Sequence, residues 1–241
     1  MHNSIVVIPT YNEVDNIAKI INSIISLPID FDVLVVDDNS PDGTSKLVHD
    51  LSLKHKKRIN VIDRPTKEGL GKAYKEGFMW ALKNNYNLIF EMDADFSHNP
   101  KDLKILHQAC LTPNVDVAVG SRYVKGINVV NWPFSRILLS YLASFYVRFI
   151  TGMPIKDPTA GFVCYKRSVL QAIDLDDIQF VGYAFQIEMK FTAWRKGIDV
   201  VEVPVVFTDR TEGESKMSSG IIKEAIFGVI KLKLRSFFTK A

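Results

Sequence analysis

Residues 4–43 read SIVVIPTYNEVDNIAKIINSIISLPIDFDVLVVDDNSPDG, and the order of patterns in them decides the fold class. Ser4 to Ile8 is a short β-branched run with the composition of a buried strand. An apolar stripe at Val14, Ile17, Ile20, Ile21, Ile24 and Ile25 then recurs with helical period, with Asn12 and Glu13 ahead of it as capping material. Val33 to Val36 forms a second apolar run and ends in Asp37-Asp38. Two uniformly apolar strands with a helix between them predict a parallel pair covered on both faces. Outward from this unit, Ile59 to Ile62, Leu88 to Phe90 and Val115 to Val119 read as further strands, with helical patterns in the gaps. The chain is therefore expected to be α/β with a mostly parallel central sheet. Ligands of such sheets collect at the carboxyl ends of the strands. The polar segments Pro9 to Glu13, Asp37 to Gly43 and Glu91 to His98 fall at those ends and should converge on one crevice.

The 241 residues, 47% hydrophobic and 24% charged, suit one domain, 1–241, of ordinary core size. A formal charge of +3 without a basic tract gives no case for a nucleic-acid partner. Cys110 and Cys164 have neither disulfide-framework nor zinc spacing, which suits a reducing compartment. Met1 leads into an apolar strand without a basic n-region or cleavage site, so the chain is expected to stay on the cytoplasmic side. Arg136, Arg148, Lys156 and Lys231 interrupt the long apolar regions before any reaches the ~20 residues of a spanning helix. Contact with a membrane is expected to be peripheral.

Met92-Asp93-Ala94-Asp95 places two carboxylates just past an apolar strand, where both can face one hard divalent cation, Mg2+ or Mn2+. Such an ion would bridge the phosphates of a nucleotide-sugar and neutralise charge on the leaving diphosphate. A solvated acidic turn is the competing reading. Asp38 ends the second strand, where an acid can hold a base edge or a ribose hydroxyl, whereas Ser40 to Gly43 read as a turn. Gly69-Leu70-Gly71-Lys72 meets neither the dinucleotide nor the P-loop fingerprint and reads as a tight turn before a helix containing Tyr74 to Leu82.

The runs IPTYNE at Ile8–Glu13, VDDNSPDG at Val36–Gly43, GLGKAY at Gly69–Tyr74, MDADFSHNP at Met92–Pro100 and GSRY at Gly120–Tyr123 resemble glycosyltransferase family 2. DPTAGF at Asp157–Phe162, GYAFQIEM at Gly182–Met189 and DRTEGESKM at Asp209–Met217 narrow the resemblance to its dolichyl-phosphate or polyprenyl-phosphate mannosyltransferases. The resemblance covers almost the whole chain. It implies a GT-A, Rossmann-like fold with C-terminal amphipathic interface helices, a nucleotide-sugar-binding half over 1–120 and an acceptor-side half over 121–241. It also implies a metal held by Asp93 and Asp95, with Ser97 as a further oxygen ligand directly or through water. Pro9, Tyr11, Glu13, Val36, Asp38, Asp93, Ala94, Asp95, Arg122, Arg210 and Lys216 fall where the family binds GDP-mannose, with Asp95 and Arg122 catalytic. For Arg210 and Lys216 a solvated basic loop is the alternative.

A phosphate acceptor is already anionic near neutral pH and needs a cationic seat rather than a strong base. Arg136, Ser140, Ser144 and Arg148 follow at i, i+4 spacing in an apolar, aromatic-rich segment, a polar stripe on one helix. The resemblance assigns Arg122, Arg136 and Ser140 to the acceptor phosphate of a dolichyl or polyprenyl lipid, and the stripe extends this to Ser144 and Arg148. The apolar faces of that helix suit either a core or an acyl boundary, and Ile221 to Phe238 suits either an interfacial or a docked helix. A small membrane-anchoring partner would complete the attachment. The expected activity is inverting transfer of mannose to a lipid phosphate. UDP-glucose-dependent glucosyl transfer and a non-catalytic nucleotide-binding subunit are the alternatives.

Overall fold

The computed structural model describes residues 4–55, 58–182, 184–209 and 219–238, with side chains in the last segment described from 226 onward. The chain runs β1 (Ser4–Thr10), α1 (Val14–Ile25), β2 (Phe31–Asp37), α2 (Thr44–Lys54), β3 (Ile59–Asp63), α3 (Leu70–Lys83), β4 (Leu88–Glu91), α4 (Leu103–Leu111) and β5 (Val117–Ser121). It continues with β6 (Val129–Val130), α5 (Phe134–Thr151), β7 (Val163–Lys166), α6 (Arg167–Ala172), α7 (Ala184–Arg195), β8 (Val200–Pro204), β9 (Phe207–Thr208) and α8 (Ser219–Arg235). Seven strands form one sheet in the order β3-β2-β1-β4-β7-β5-β8, and β6 pairs with β9 in a second, two-stranded sheet. Every pairing in the large sheet is parallel except those of β7, which runs antiparallel to both β4 and β5.

All five strands expected before residue 122 are present; β1, β2, β4 and β5 are buried on both faces, while β3, Ile59–Asp63, is the partly exposed edge strand. Val6, Ile8, Val33 and Val35 pack against Ile17, Ile20, Ile21 and Ile24 of α1, with Val48 of α2 and Leu106 of α4. Alternate residues Ile5, Val7, Leu34 and Val36 face the opposite layer, built from Ala73, Tyr74 and Phe78 of α3, Val169 of α6 and Phe185 of α7. Helix α3 begins at Leu70, earlier than Tyr74, since Gly69 takes φ 107° and Gly71 N–H donates to Val181 O at 2.8 Å. The sheet draws strands from both sides of residue 120: β7 and β8, without a clear period of their own, join it after the tidy alternation has ended.

Helices α5, α7 and α8 make a third layer around Val147, Met153, Ile155, Ile187, Phe191, Val229 and Leu232. Helix α8 is further tied down by Glu188, whose carboxylate accepts from Gln179 and Phe180 N–H and from Arg235 at 3.2 Å. The docked reading of the C-terminal segment therefore holds for one side of the helix, while Ile226, Phe227, Ile230 and Leu234 are exposed. On α5 the same is true of Leu138, Leu142, Phe145 and Phe149. Among the described residues, no helix is long and apolar enough to cross a membrane. Cys110 and Cys164 are distant in sequence yet adjacent in the fold, with Cys110 Sγ 3.6 Å from Cys164 O, and both are free and buried.

Candidate active site

The loops after β1, β2 and β4 meet at one edge of the sheet. Thr10 Oγ1 donates to Asp37 at 2.7 Å, Asn12 N–H to Ser40 Oγ at 3.0 Å, and Glu13 N–H to Thr44 Oγ1 at 2.9 Å. Asp42 accepts from Thr44 N–H and Oγ1 and from Val14 N–H, so it organises the entries of α1 and α2 together. With Gly43 at φ 91°, the turn reading of Ser40 to Gly43 holds. Pro9, Tyr11 and Glu13 thus sit on one wall, whereas the Val36 side chain is fully buried in the core against α3. Tyr11 carries Lys67 Nζ 3.8 Å above its ring.

Asp38 is buried on that wall and ion-paired to Arg64, which also binds Glu68 and Glu76. Burial raises the Asp38 pKa, with Arg64 opposing. Arg64 had no signal in the sequence; its role is visible only once β3 lies beside β2. It braces the end of β2 from the side away from β1.

The loop after β4 carries Asp93, Ala94, Asp95 and Ser97. Ser97 N–H donates to Asp95 Oδ1 at 3.0 Å, and Phe96 takes φ 58° to close the turn. Asp93 N–H donates to His98 Nδ1 at 3.2 Å. His98 is stacked on Phe162 at 4.9 Å and packed edge-on against Phe207 at 5.2 Å. Burial pushes its pKa down to about 4, against the pull of Asp95. The ring is therefore neutral and accepts at Nδ1, which makes it a strut for the acidic loop. Asp95 and Ser97 are nearly enclosed, whereas the Asp93 side chain is 37% exposed. No group of three His, Cys, Asp or Glu side chains is gathered for a metal among the described residues. With Asp93 open to solvent and Asp95 nearly enclosed beside it, the pair suits the other way of holding Mg2+ or Mn2+, in which substrate phosphates supply further ligands.

Strand β7 runs antiparallel, so the loop before it, Asp157 to Phe162, arrives at the same edge of the sheet. Asp157 accepts from Arg122 at its backbone N–H (2.9 Å), Nε (2.8 Å) and Nη2 (2.6 Å), and Thr159 Oγ1 accepts from Nη2 at 2.8 Å. Against the upward push of burial, Arg122 holds the Asp157 carboxyl below its usual value. Arg122 is thereby fixed in a bidentate fork beside Tyr123, Trp132 and Phe207.

Arg136 lies over the Trp132 ring at 4.1 Å and is ion-paired with Asp209 at 2.7 Å. Ser140 accepts from Tyr123 Oη at 2.7 Å. Asp209 follows β9, whose Thr208 N–H donates to Ser97 O at 3.3 Å, so the acidic loop and the cationic stripe are stitched by one backbone hydrogen bond. Arg210 and Lys216 lie outside the described residues. The structure brings Asp93, Asp95, Ser97, Arg122, Arg136 and Ser140 to one side of the fold. Sequence reasoning missed His98, Asp157 and Trp132; the first two stand inside motifs that carried the resemblance, but nothing local shows which side chains they serve.

Glycosyl transferase family 2 matches residues 5–174. The chain is 44% identical over 99% of its length to polyprenol monophosphomannose synthase of Mycolicibacterium smegmatis, covering 89% of that protein. It is also 44% identical over 93% of its length to undecaprenyl-phosphate mannosyltransferase of Micrococcus luteus, covering 91%. Among solved structures, mannosyl-3-phosphoglycerate synthase of Rubrobacter xylanophilus superposes with a TM-score of 0.70 at 18% identity, over 98% of this chain and 75% of that one. The Pyrobaculum calidifontis mannosyltransferase PcManGT, solved with GDP-Man and Mn2+, gives 0.60 at 16% identity, over 95% of this chain and 69% of that one.

Proposed function

Because the chain belongs to glycosyl transferase family 2 and is a hexosyltransferase of GT-A fold, we propose that it transfers mannose from GDP-mannose to a polyprenyl or dolichyl phosphate with inversion at the anomeric carbon. The observation that carries this reading is the pairing of an acidic loop, Asp93 and Asp95, with a cationic stripe led by Arg136, the two linked through β9 and Asp209. The names of the two relatives supply the sugar and the lipid class.

Pro9, Tyr11, Glu13, Asp38 and Ala94 form the donor side, with Val36 buried beneath them as its support. Asp93 and Asp95 point their charge at the diphosphate end, where they would hold the ion, with Ser97 beside them. A bound Mg2+ or Mn2+ supplies charge neutralisation for the departing diphosphate. Arg136 seats the acceptor phosphate, Ser140 donates to it, and Asp209 is the carboxylate that this phosphate displaces from Arg136. Arg122, held rigid by Asp157, lines the same approach. A phosphate oxygen then bonds to the anomeric carbon as its bond to GDP breaks, and the electron pair leaves with GDP. The acceptor arrives ionised, so no base is needed; neutral His98, committed to Asp93 N–H, shapes the acidic loop instead. Arg210 and Lys216, outside the described residues, are the cations the resemblance assigns to the donor diphosphate.

The exposed faces of α5 and α8 rest on the cytoplasmic leaflet, which brings the acceptor to the stripe without a spanning segment. A small anchoring partner strengthens that contact. The test is mannosyl transfer from labelled GDP-mannose to a short polyprenyl phosphate with Mg2+ or Mn2+, set beside UDP-glucose and beside Asp95→Ala. Metal-dependent formation of the β-linked mannosyl phosphate by the parent, lost in Asp95→Ala, is expected. Activity with UDP-glucose alone, or retention of donor configuration, overturns the reading.

A further inference from the structure

Beyond Ser140 the polar stripe of α5 enters a separate pocket of about 160 Å³ lined by Tyr123, Tyr141, Ser144, Phe145, Arg148 and Lys156. Ser144 lies at its floor, 2% exposed, with a hydroxyl that finds no hydrogen-bond partner. A buried hydroxyl left unpaired costs free energy and calls for a ligand or an ordered water. Arg148 and Lys156 supply two cations at the mouth. Among the described residues Arg148 has no ion-pair partner, and Lys156 Nζ makes one contact, 3.2 Å to Val124 O. Glu202 accepts from the backbone N–H groups of Lys156 and Asp157.

We propose that this pocket is a second phosphate-ester site, distinct from the acceptor seat at Arg136. Along an α-helix twelve residues span roughly 18 Å, so one phosphate group cannot bridge Arg136 and Arg148. Tyr123 stands between the two seats, donating its hydroxyl to Ser140 on one side and lining the pocket on the other. The space is ample for a tetrahedral oxyanion, since a single water needs only about 10–15 Å³. Tyr141 and Phe145 form an exposed aromatic rim continuous with Leu142 and Phe149. A phosphate carried on acyl chains would therefore seat its headgroup on Ser144, Arg148 and Lys156 while its chains cover that rim. A free phosphate ester shares the headgroup chemistry and lacks the second contact.

The experiment is equilibrium binding by the full chain carrying Arg136→Ala, which removes the acceptor seat so that failure of the acceptor assignment does not bear on the result. One arm titrates inorganic phosphate; the other sediments the protein with phosphatidylcholine vesicles with and without phosphatidic acid. Ser144→Ala, Arg148→Gln and a nearby surface control, Lys125→Gln, are compared in each arm, with thermal midpoints confirming folding. Ser144→Ala and Arg148→Gln should each weaken binding about fivefold, and Lys125→Gln should leave it within about twofold. Variant-sensitive binding in the vesicle arm alone, or much tighter there, assigns the site to a lipid headgroup; equal sensitivity to inorganic phosphate assigns it to a free ester. Both support a phosphate site. If Ser144→Ala and Arg148→Gln both match the parent in both arms, or Lys125→Gln weakens binding as much as Arg148→Gln, the pocket is ordinary basic surface and the proposal fails.

Discussion

Gly71 has no room for a side chain: a Cβ there would lie 2.7 Å from Phe180 O and 2.9 Å from the Phe185 ring. Gly71→Ala should therefore cost about 1–3 kcal/mol by overpacking, measured as a lower urea midpoint. Deeper in the same region, Glu91 and Lys190 are both fully buried. Burial pushes Glu91 up to about 8 while Lys190 pulls it down, and burial pushes Lys190 down to about 8 while Glu91 pulls it up. From the unfolded carboxyl value, about 4.3, up to 8, the folded chain keeps a proton that the unfolded chain has lost, so stability falls as pH rises. From 8 to the unfolded lysine value, about 10.4, the unfolded chain holds the extra proton and stability rises again. Glu91→Gln removes the first slope and, by taking away the charge that pulls Lys190 up, lets burial lower Lys190 further. Urea unfolding with chelator present should show the variant gaining on its parent as pH rises from about 5 to about 8; parallel curves would refute the assignment. The acidic loop was legible because Asp93 and Asp95 are neighbours in sequence. The Arg122–Asp157 fork was not, because its partners are brought together only when β7 enters the sheet beside β5.

Helix α5 shows what a single element adds. Its i, i+4 stripe could be read in advance, but the fate of each member depends on what faces it: Arg136 meets Asp209, Ser140 meets Tyr123, and Ser144 is covered. If Asp209 holds the place of the acceptor phosphate, Asp209→Asn should lower the apparent acceptor KM several-fold with kcat unchanged, and Arg136→Ala should raise it about tenfold with little effect on the donor KM. Steady-state kinetics with each substrate varied in turn separates the two. Strands with runs of Val and Ile announce themselves, as β1 and β2 do. β7, Val163–Lys166, does not, since four residues are too few to show a period and its place is set by neighbours far away in sequence.

For the molecule as a whole, α5 and α8 turn large apolar side chains outward, with Phe149 76% and Phe227 69% exposed. Replacing both by Glu should reduce sedimentation with phosphatidylcholine–phosphatidylglycerol vesicles more than about tenfold and leave the thermal midpoint unmoved, because neither ring is part of the core. Sequence patterning could say that these faces were apolar, but not that both helices would have one side packed and the other open. The antiparallel β7 carries a consequence for how the chain is made. A nascent chain can pair β3, β2, β1 and β4 as soon as they emerge, but β4 then waits for a neighbour that lies about seventy residues further on. At ordinary translation rates of about 5–20 residues per second, the wait is roughly 4 to 14 seconds, with β5 synthesised inside it without its sheet partner and the apolar helix α5 without α7 and α8 to pack on. A chain whose synthesis has passed α5 but not yet released β7 from the ribosome would thus display an open β4 edge, the kind of unpaired strand edge that invites misassociation.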